Sequence, residues 1–414
     1  MLDSDVEVTT IDKKSIVCIH VPQADWRMKP VFLNENPYKG SFKRNHEGDY
    51  HCTEMEVRAM IRDANEDGND GGLLDGFTLD DIDANTLHGY RNQFKILNAD
   101  HDWNDKDDKE FLRLLGGYTK NRQTGKEGLT VAGLMMFGTG LAIRERFGNF
   151  RMDYLDMSHL EGEERYRDRL TYDGRWENNL YQFFRIVMPK LTFDLPHPFH
   201  MVGYQRVDDT PQMKAVREGF TNSIIHSDLF LDSGILRIEK HDDCLCLRNP
   251  GNLKLPIENI YEGGVSKARN PRIQNMLRMI GYGENIGSGF PKIISAWQKA
   301  GWGKPELIDK YELQEVELRL PIPNETGGQT DGRTDGQTGG QTGGQTGGQT
   351  GSPKTIEKVF ELIKDNPYIT RQELVDKLAI KASAIQKHIE KLKAQKRIER
   401  VGSSTFGGHW EIKE

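Results

Sequence analysis

Apolar positions recur along the chain with two different spacings. In SIVCIHVP (15–22), Val17, Ile19 and Val21 alternate with their neighbours, and KPVFLN follows; both read as strands. The spacing then lengthens to the helical one in CTEMEVRAMIRDA, LDDIDANTLHGYRNQFKIL and DKEFLRLLGGY. LTVAGLMMFGTGLAIRERF (129–147) reads as one apolar helical run, FRMDYLDM as a strand and RWENNLYQFFRIVMPKL as a helix. From Met201 the predicted order is strand, helix (210–226), strands GILRIEKHDD and CLCLRNP, a loop, helices NPRIQNMLRMI and PKIISAWQKAG, and a closing strand VELRLPI.

This periodicity stops at TGGQTDGRTDGQTGGQTGGQTGGQTGS (326–352), a four-residue repeat with no apolar side chain to bury. A segment of that composition is expected to act as a tether with a root-mean-square reach of about 30 Å. Beyond it the helical period returns. Ile356, Val359, Phe360 and Ile363 form one stripe, and Ile385, Ile389 and Leu392 form another. TRQE and SAIQ read as capping boxes opening the second and third helices, from Thr370 with Glu373 and from Ser383 with Gln386. RIERVGSSTFGGHWEI closes as a two-stranded wing.

Composition narrows the classes. At 414 residues, two or three domains are expected. No apolar run is long enough for a membrane span, the N-terminus is acidic and unlike a signal peptide, and four cysteines make no disulfide framework. A cytoplasmic location without membrane partners is therefore expected. Net charge is −7, which disfavours indiscriminate nucleic-acid binding. The charge is unevenly spread, however. From Pro353 onward there are 13 Lys and Arg against 9 Asp and Glu, so the tail carries +4 and the remainder −11. An acidic body with a basic reader module fits that asymmetry.

Two acidic runs imitate calcium loops. DANEDGNDGGLL begins like one at Asp63 but has Leu74 where a bidentate carboxylate is needed, and DHDWNDKDDKEF lacks the central glycine. Both are read as solvated loops. Cys244 and Cys246 share one face of a strand and read as packing residues.

The chemistry lies in three separated segments. EGFTNSIIHSD (218–228) puts Glu218, Asn222 and His226 on one helical stripe. A carboxylate there can activate water, and a carboxamide oxygen four residues on is a neutral, hard ligand for Mg²⁺. RNPGNLKLP places Asn249 and Gly251 at a strand end. GYGENIGSGFPKI packs Gly281, Gly283, Gly287 and Gly289 before a helix starting near Pro291, where bare backbone N–H groups suit phosphate.

In this order the segments resemble the GHKL ATP-binding fold of gyrase, Hsp90, MutL and histidine kinases. More closely, AVREGFTNSIIHSD, LRNPGNLKLP and ARNPRIQNMLRMIGYGENIGSGFPKI resemble the divergent ATPase-like domain of RecG-related proteins and transcriptional regulators, over about 129–321. The resemblance implies ATP and Mg²⁺ as cofactors, with Glu218 as base, Asn222 as metal ligand, Asn249 at the adenine amino group, and Gly251, Gly287 and Gly289 with Arg269 around the phosphates. His226 and Asp228 belong to a recurring segment of that family, where Ser227 replaces an Arg; capping the helix end is the simpler role for them. HVPQADWRMKPVFLN and GSFKRN resemble the end of a Schlafen-type AlbA_2 domain, whose first part is absent. The tail resembles a winged helix-turn-helix. Lys381, Ser383, Gln386, Lys387, Lys391 and Arg400 are its expected contacts to double-stranded DNA.

The expected architecture is α+β and multidomain: a β-rich AlbA_2-like remnant (1–52), a helical connecting region (53–128), a GHKL-like α/β sandwich (129–323), a flexible linker (324–352) and a winged helix-turn-helix (353–414). The function expected is an ATP-binding, DNA-binding transcriptional regulator whose nucleotide state modulates DNA binding or pairing into a homodimer. A DNA-dependent ATPase and a scaffold without nucleotide are the alternatives. No G-x-x-x-x-G-K-[ST] loop is present, which argues against a processive helicase and leaves weak ATPase activity open.

Overall fold

The structure is a computed structural model. It describes residues 6–21, 24–45, 48–193, 195, 201–202, 205–206, 210–283 and 289–323, and, near the C-terminus, 359–360, 362–364, 369, 374, 385, 388–389, 391–393, 397–401 and 409–413. The chain divides into two compact units, Met1–Gln329 and Thr330–Glu414. None of the helices among the described residues is long and apolar enough to cross a membrane.

The first unit opens with two hairpins, β1 (Val6–Ile11) with β2 (Lys14–Ile19), and β3 (Phe42–Asn45) with β4 (Gly48–His51), separated by a short helix α1 (Pro37–Gly40). β1 is a strand the polar-looking N-terminus concealed. KPVFLN, expected as a strand, makes only an isolated bridge from Phe32 to Ser41.

A helical layer follows: α2 (Glu54–Asp63), α3 (Ala84–Leu97) and α4 (Asp108–Leu115), then a small hairpin of β5 (Tyr118–Lys120) and β6 (Glu127–Leu129). Thr53 and Glu56 form the capping box that starts α2, and Gly116, at φ 86°, ends α4 in the left-handed conformation. The run 129–147 is two helices, α5 (Val131–Phe137) and α6 (Gly140–Arg146). Gly138 and Thr139 break it, because the Thr139 hydroxyl caps α6 by accepting from the Ala142 N–H.

The remaining elements build a layered half. They are β7 (Arg151–Asp156), β8 (Asp168–Leu170), α7 (Leu180–Thr192), the short pair β9 (Met201–Val202) and β10 (Gln205–Arg206), α8 (Pro211–Ile225), β11 (Ile235–Lys240), β12 (Cys244–Pro250), α9 (Ile257–Glu262), α10 (Pro271–Met279), α11 (Gly289–Ala300), β13 (Glu306–Lys310) and β14 (Glu315–Pro321). The sheet order is β13-β14-β12-β11-β7-β8, mixed, with β7 and β11 parallel and the other neighbours antiparallel.

Alternation sorts the two faces of this sheet. Met152, Tyr154, Leu236, Ile238, Leu245, Leu247, Leu318 and Leu320 are buried and belong to the same core as residues of α7, α8 and α11. The opposite parity carries charge. Glu317, almost wholly buried, accepts from Arg248 Nε at 2.9 Å, Arg319 Nη2 at 3.0 Å and Lys310 Nζ at 2.5 Å. Burial raises its carboxyl, but Lys310 and Arg248 outweigh that and hold it down at about 2.

One hydrophobic core runs from the helical layer into the sheet half, from Tyr90, Phe94 and Phe111 through Phe137 and Phe183 to Leu318. Polar staples join them too. The DANEDGNDGG run is no solvated loop: Asp70 is fully buried and accepts from the Arg272 and Ile273 N–H groups at 2.8 Å each, capping α10. Burial raises the Asp70 carboxyl to about 6 in spite of those bonds.

In the second unit, Val359, Ile363, Ile369, Leu374, Ile385, Ile389, Leu392, Ile398 and Trp410 form a separate core. Val359 and Ile363 of the first expected stripe and Ile385, Ile389 and Leu392 of the second are among them; Phe360 is partly buried against this core, and Ile356 lies outside the described residues. β15 (Ile398–Val401) and β16 (His409–Ile412) pair antiparallel as the expected wing.

Candidate functional site

Thr210 caps α8, with Pro211 at its first position, and the helix runs fifteen residues to Ile225. Gly219 explains how closely it lies on the sheet. A Cβ there would come within 2.9 Å of Leu318 Cδ2 and 3.1 Å of Leu247 Cδ1. That seating aims the stripe of Glu218, Asn222 and His226 into a cavity rather than into open solvent. Asn249 on β12, Leu307 on β13, and Val316 and Leu318 on β14 line the sheet side. Residues 252–255, 265–267 and Arg269 of the connecting loop, Ile260 of α9, and Gly289 and Phe290 at the start of α11 complete the walls.

Within the cavity, Asn222 Nδ2 donates to Glu218 Oε1 at 3.3 Å. The absent side chain of Gly289 makes room for the same oxygen, since a Cβ there would stand 2.1 Å from it. Asn249 is buried, and its amide donates only a long bond, 3.4 Å, to the Pro250 carbonyl. His226 is half-buried, and burial with the neighbouring Arg269 and Lys254 depresses its imidazole to about 4, so it is neutral at pH 7. Burial likewise lowers Lys254 to about 8, partly offset by Asp63.

Arg269 also lines this cavity, but its guanidinium is occupied. It donates to both Asp63 carboxylate oxygens at 2.8 and 2.7 Å, to the His226 carbonyl at 2.8 Å and to the Asn252 carbonyl at 2.5 Å. Asn270 adds bonds to the Ser227 and Ile224 carbonyls at 2.8 and 3.3 Å. The end of α8 is thus capped by side chains from the loop. His226 and Ser227 enter that cap through their carbonyls, whereas Asp228 is buried and accepts from Arg62 Nη2 at 2.7 Å.

Gly251 is not among the residues lining this cavity. At φ 99° it needs the left-handed region, and a Cβ would press on the Arg269 guanidinium at 3.0 Å. It lines an adjoining cavity with Trp26, Lys29, Asp63 and Asp309, and Asn252, Leu253, Lys254 and Arg269 border both. Gly287 lies outside the described residues. So do Lys381, Ser383, Gln386 and Lys387, as do Thr370 and Glu373. Arg400 is described only as part of β15, and Lys391 is exposed on a helical stretch. Sequence reading missed Trp26, Asp63 and Lys254. The first two are far from the motifs in the chain, and Lys254 sat inside a quoted motif without a distinguishing neighbour.

Three family profiles match parts of the chain. Residues 235–318 match "Putative ATP-dependent DNA helicase recG C-terminal", which includes Asn249, Arg269 and Gly289 and begins after α8. Residues 353–399 match a winged helix-turn-helix DNA-binding domain. Residues 58–153 match a domain of unknown function, DUF8451. The match in this half of the chain is to that domain and not to Schlafen AlbA_2, and no family match supports the AlbA_2-like reading of 1–52. No curated protein matches the chain. Among solved structures, a crystal structure of the DIP2311 protein from Corynebacterium diphtheriae is similar at 14% identity and a TM-score of 0.47, covering 99% of this chain and 80% of that one. The chain therefore carries one segment similar to the RecG C-terminal domain, over 235–318, and one similar to a winged helix-turn-helix DNA-binding domain, over 353–399.

Proposed function

We propose that this protein is a nucleotide-responsive DNA-binding regulator of transcription. Mg-ATP occupies the cavity between α8 and the sheet, and its presence alters how the winged helix meets double-stranded DNA or how two chains pair. The observation that carries the reading is the convergence of Glu218 and Asn222 from α8, Asn249 from β12 and Gly289 from α11 on one cavity. In this reading the Asn222 carboxamide oxygen holds Mg²⁺, which bridges phosphate oxygens and keeps several waters. Asn249 accepts from the adenine amino group through its oxygen, while its N–H₂ faces the backbone. The bare backbone at Gly289 meets the phosphates at the start of a helix.

Glu218 favours a second reading, a DNA-dependent ATPase. Its carboxylate lines the same cavity and is positioned to take a proton from an attacking water. Phosphate release by wild type and by Glu218→Gln separates the two. Release that is lost in the variant while nucleotide binding persists establishes the ATPase. The regulator reading is tested by DNA retardation with and without a non-hydrolysable Mg-ATP analogue at fixed salt. A retardation midpoint that the analogue leaves in place overturns it.

A further inference from the structure

The cations lining the cavity among the described residues are Lys254, Lys267 and Arg269, with His226 neutral. Arg269 is spent on Asp63 and two carbonyls, so it has little left for an anion. Lys254 is in the opposite situation. It is half-buried and borders both cavities, yet it makes no hydrogen bond or ion pair with any described residue. Its ammonium rests 4.1 Å from the centre of the Trp26 ring, and Lys267 approaches the same ring at 5.8 Å. A ring face is a weak partner for a desolvated ammonium compared with an anionic oxygen.

We propose that Lys254, assisted by Lys267, is the anion subsite of this cavity and takes the polyphosphate chain of the nucleotide. This rests on the nucleotide reading above and changes its cation: the loop lysine that follows Asn252 and Leu253 meets the phosphates, and Arg269 shapes the wall behind it. Trp26, from the N-terminal segment, holds Lys254 in place until an anion draws it off the ring. The chemistry selects ligands by the charge of their phosphate chain, so ATP should bind more tightly than ADP, AMP and adenosine in that order.

The test is titration calorimetry on the full chain with ATP, AMP, adenosine and inorganic tripolyphosphate, using wild type, Lys254→Gln and Lys254→Arg. Lys254→Gln is expected to weaken ATP and tripolyphosphate at least tenfold while adenosine affinity stays within twofold. Lys254→Arg should restore most of the loss, which a merely structural lysine packed on Trp26 would not require. Wild type that binds ATP, with Lys254→Gln binding it equally, overturns the subsite and leaves the nucleotide reading intact. Tripolyphosphate binding without ATP binding keeps the subsite and overturns the nucleotide reading. A wild type that binds neither overturns both. Matching thermal midpoints for the three proteins confirm that folding is unaffected.

Discussion

Replacing Arg269 with methionine separates a wall residue from a ligand-binding one. The guanidinium is 3% exposed and makes two bonds to Asp63, one to the His226 carbonyl and one to the Asn252 carbonyl. Methionine keeps much of the volume and removes all four. Asp63, which lines the adjoining cavity, is then left without its partner, and removing one partner of a buried pair costs about 3–5 kcal/mol. Part of that figure is the orphaned carbonyls of His226, at the end of α8, and of Asn252, in the loop after β12, which cost about 1–3 kcal/mol each when water cannot reach them. Urea unfolding of wild type, Arg269→Met, Asp63→Asn and the double variant, followed by tryptophan fluorescence, measures the loss and the coupling. The expected result is a loss of about 4 kcal/mol for Arg269→Met. The double variant should lose less than the sum of the singles by about 2 kcal/mol. A loss below about 1 kcal/mol, the scale of an exposed pair, together with abolished ATP binding, would refute this and make Arg269 a phosphate ligand.

Other outcomes follow from the same geometry. Gly289→Ala places a methyl against the Glu218 carboxylate, and Mg-ATP affinity should fall about tenfold, about 1.4 kcal/mol, in calorimetry; unchanged affinity would show that this oxygen and helix start do not share the ligand. The Glu317 carboxyl sits at about 2, below its ordinary 4.5, so its stabilisation is present above pH 4.5 and is lost as pH falls toward 2. That amounts to about 3 kcal/mol, and Glu317→Gln should flatten acid unfolding over this range. Truncation after residue 323 should abolish DNA retardation while leaving nucleotide binding intact. In the full chain, Lys387→Ala with Lys391→Ala should lower the slope of log affinity against log salt by about 2; an unchanged slope would place the DNA contacts elsewhere.

Much of the site was readable because its chemistry is local. The Glu218–Asn222 spacing and the cap at Thr210 are visible within one helix, and the alternation in Cys244–Pro250 already set Asn249 on the side of Leu245 and Leu247. What could not be read depends on tertiary closure. Arg269 and Asp63 are 206 positions apart, so nothing in either neighbourhood names the other as partner. The acidic run at 63–72 looked solvated because composition records charge without its counter-groups. Asp70 in fact caps a helix beginning 201 residues later, through the N–H groups of Arg272 and Ile273. Glu306–Lys310 was missed as a strand because its residues are mostly polar, and pairing with β14 rather than propensity fixes it. The split of 129–147 turned on one competing cap, the Thr139 hydroxyl.

The central claim is that residues from α8, β12 and α11 enclose one Mg-nucleotide. Titration calorimetry of wild type and Asn222→Ala with ATP, each with and without Mg²⁺, tests it most directly. The account predicts one ATP per chain in the wild type, with tighter binding when Mg²⁺ is present and no such gain in Asn222→Ala. Absence of binding heat in the wild type, or an equal Mg²⁺ gain in both proteins, would contradict it.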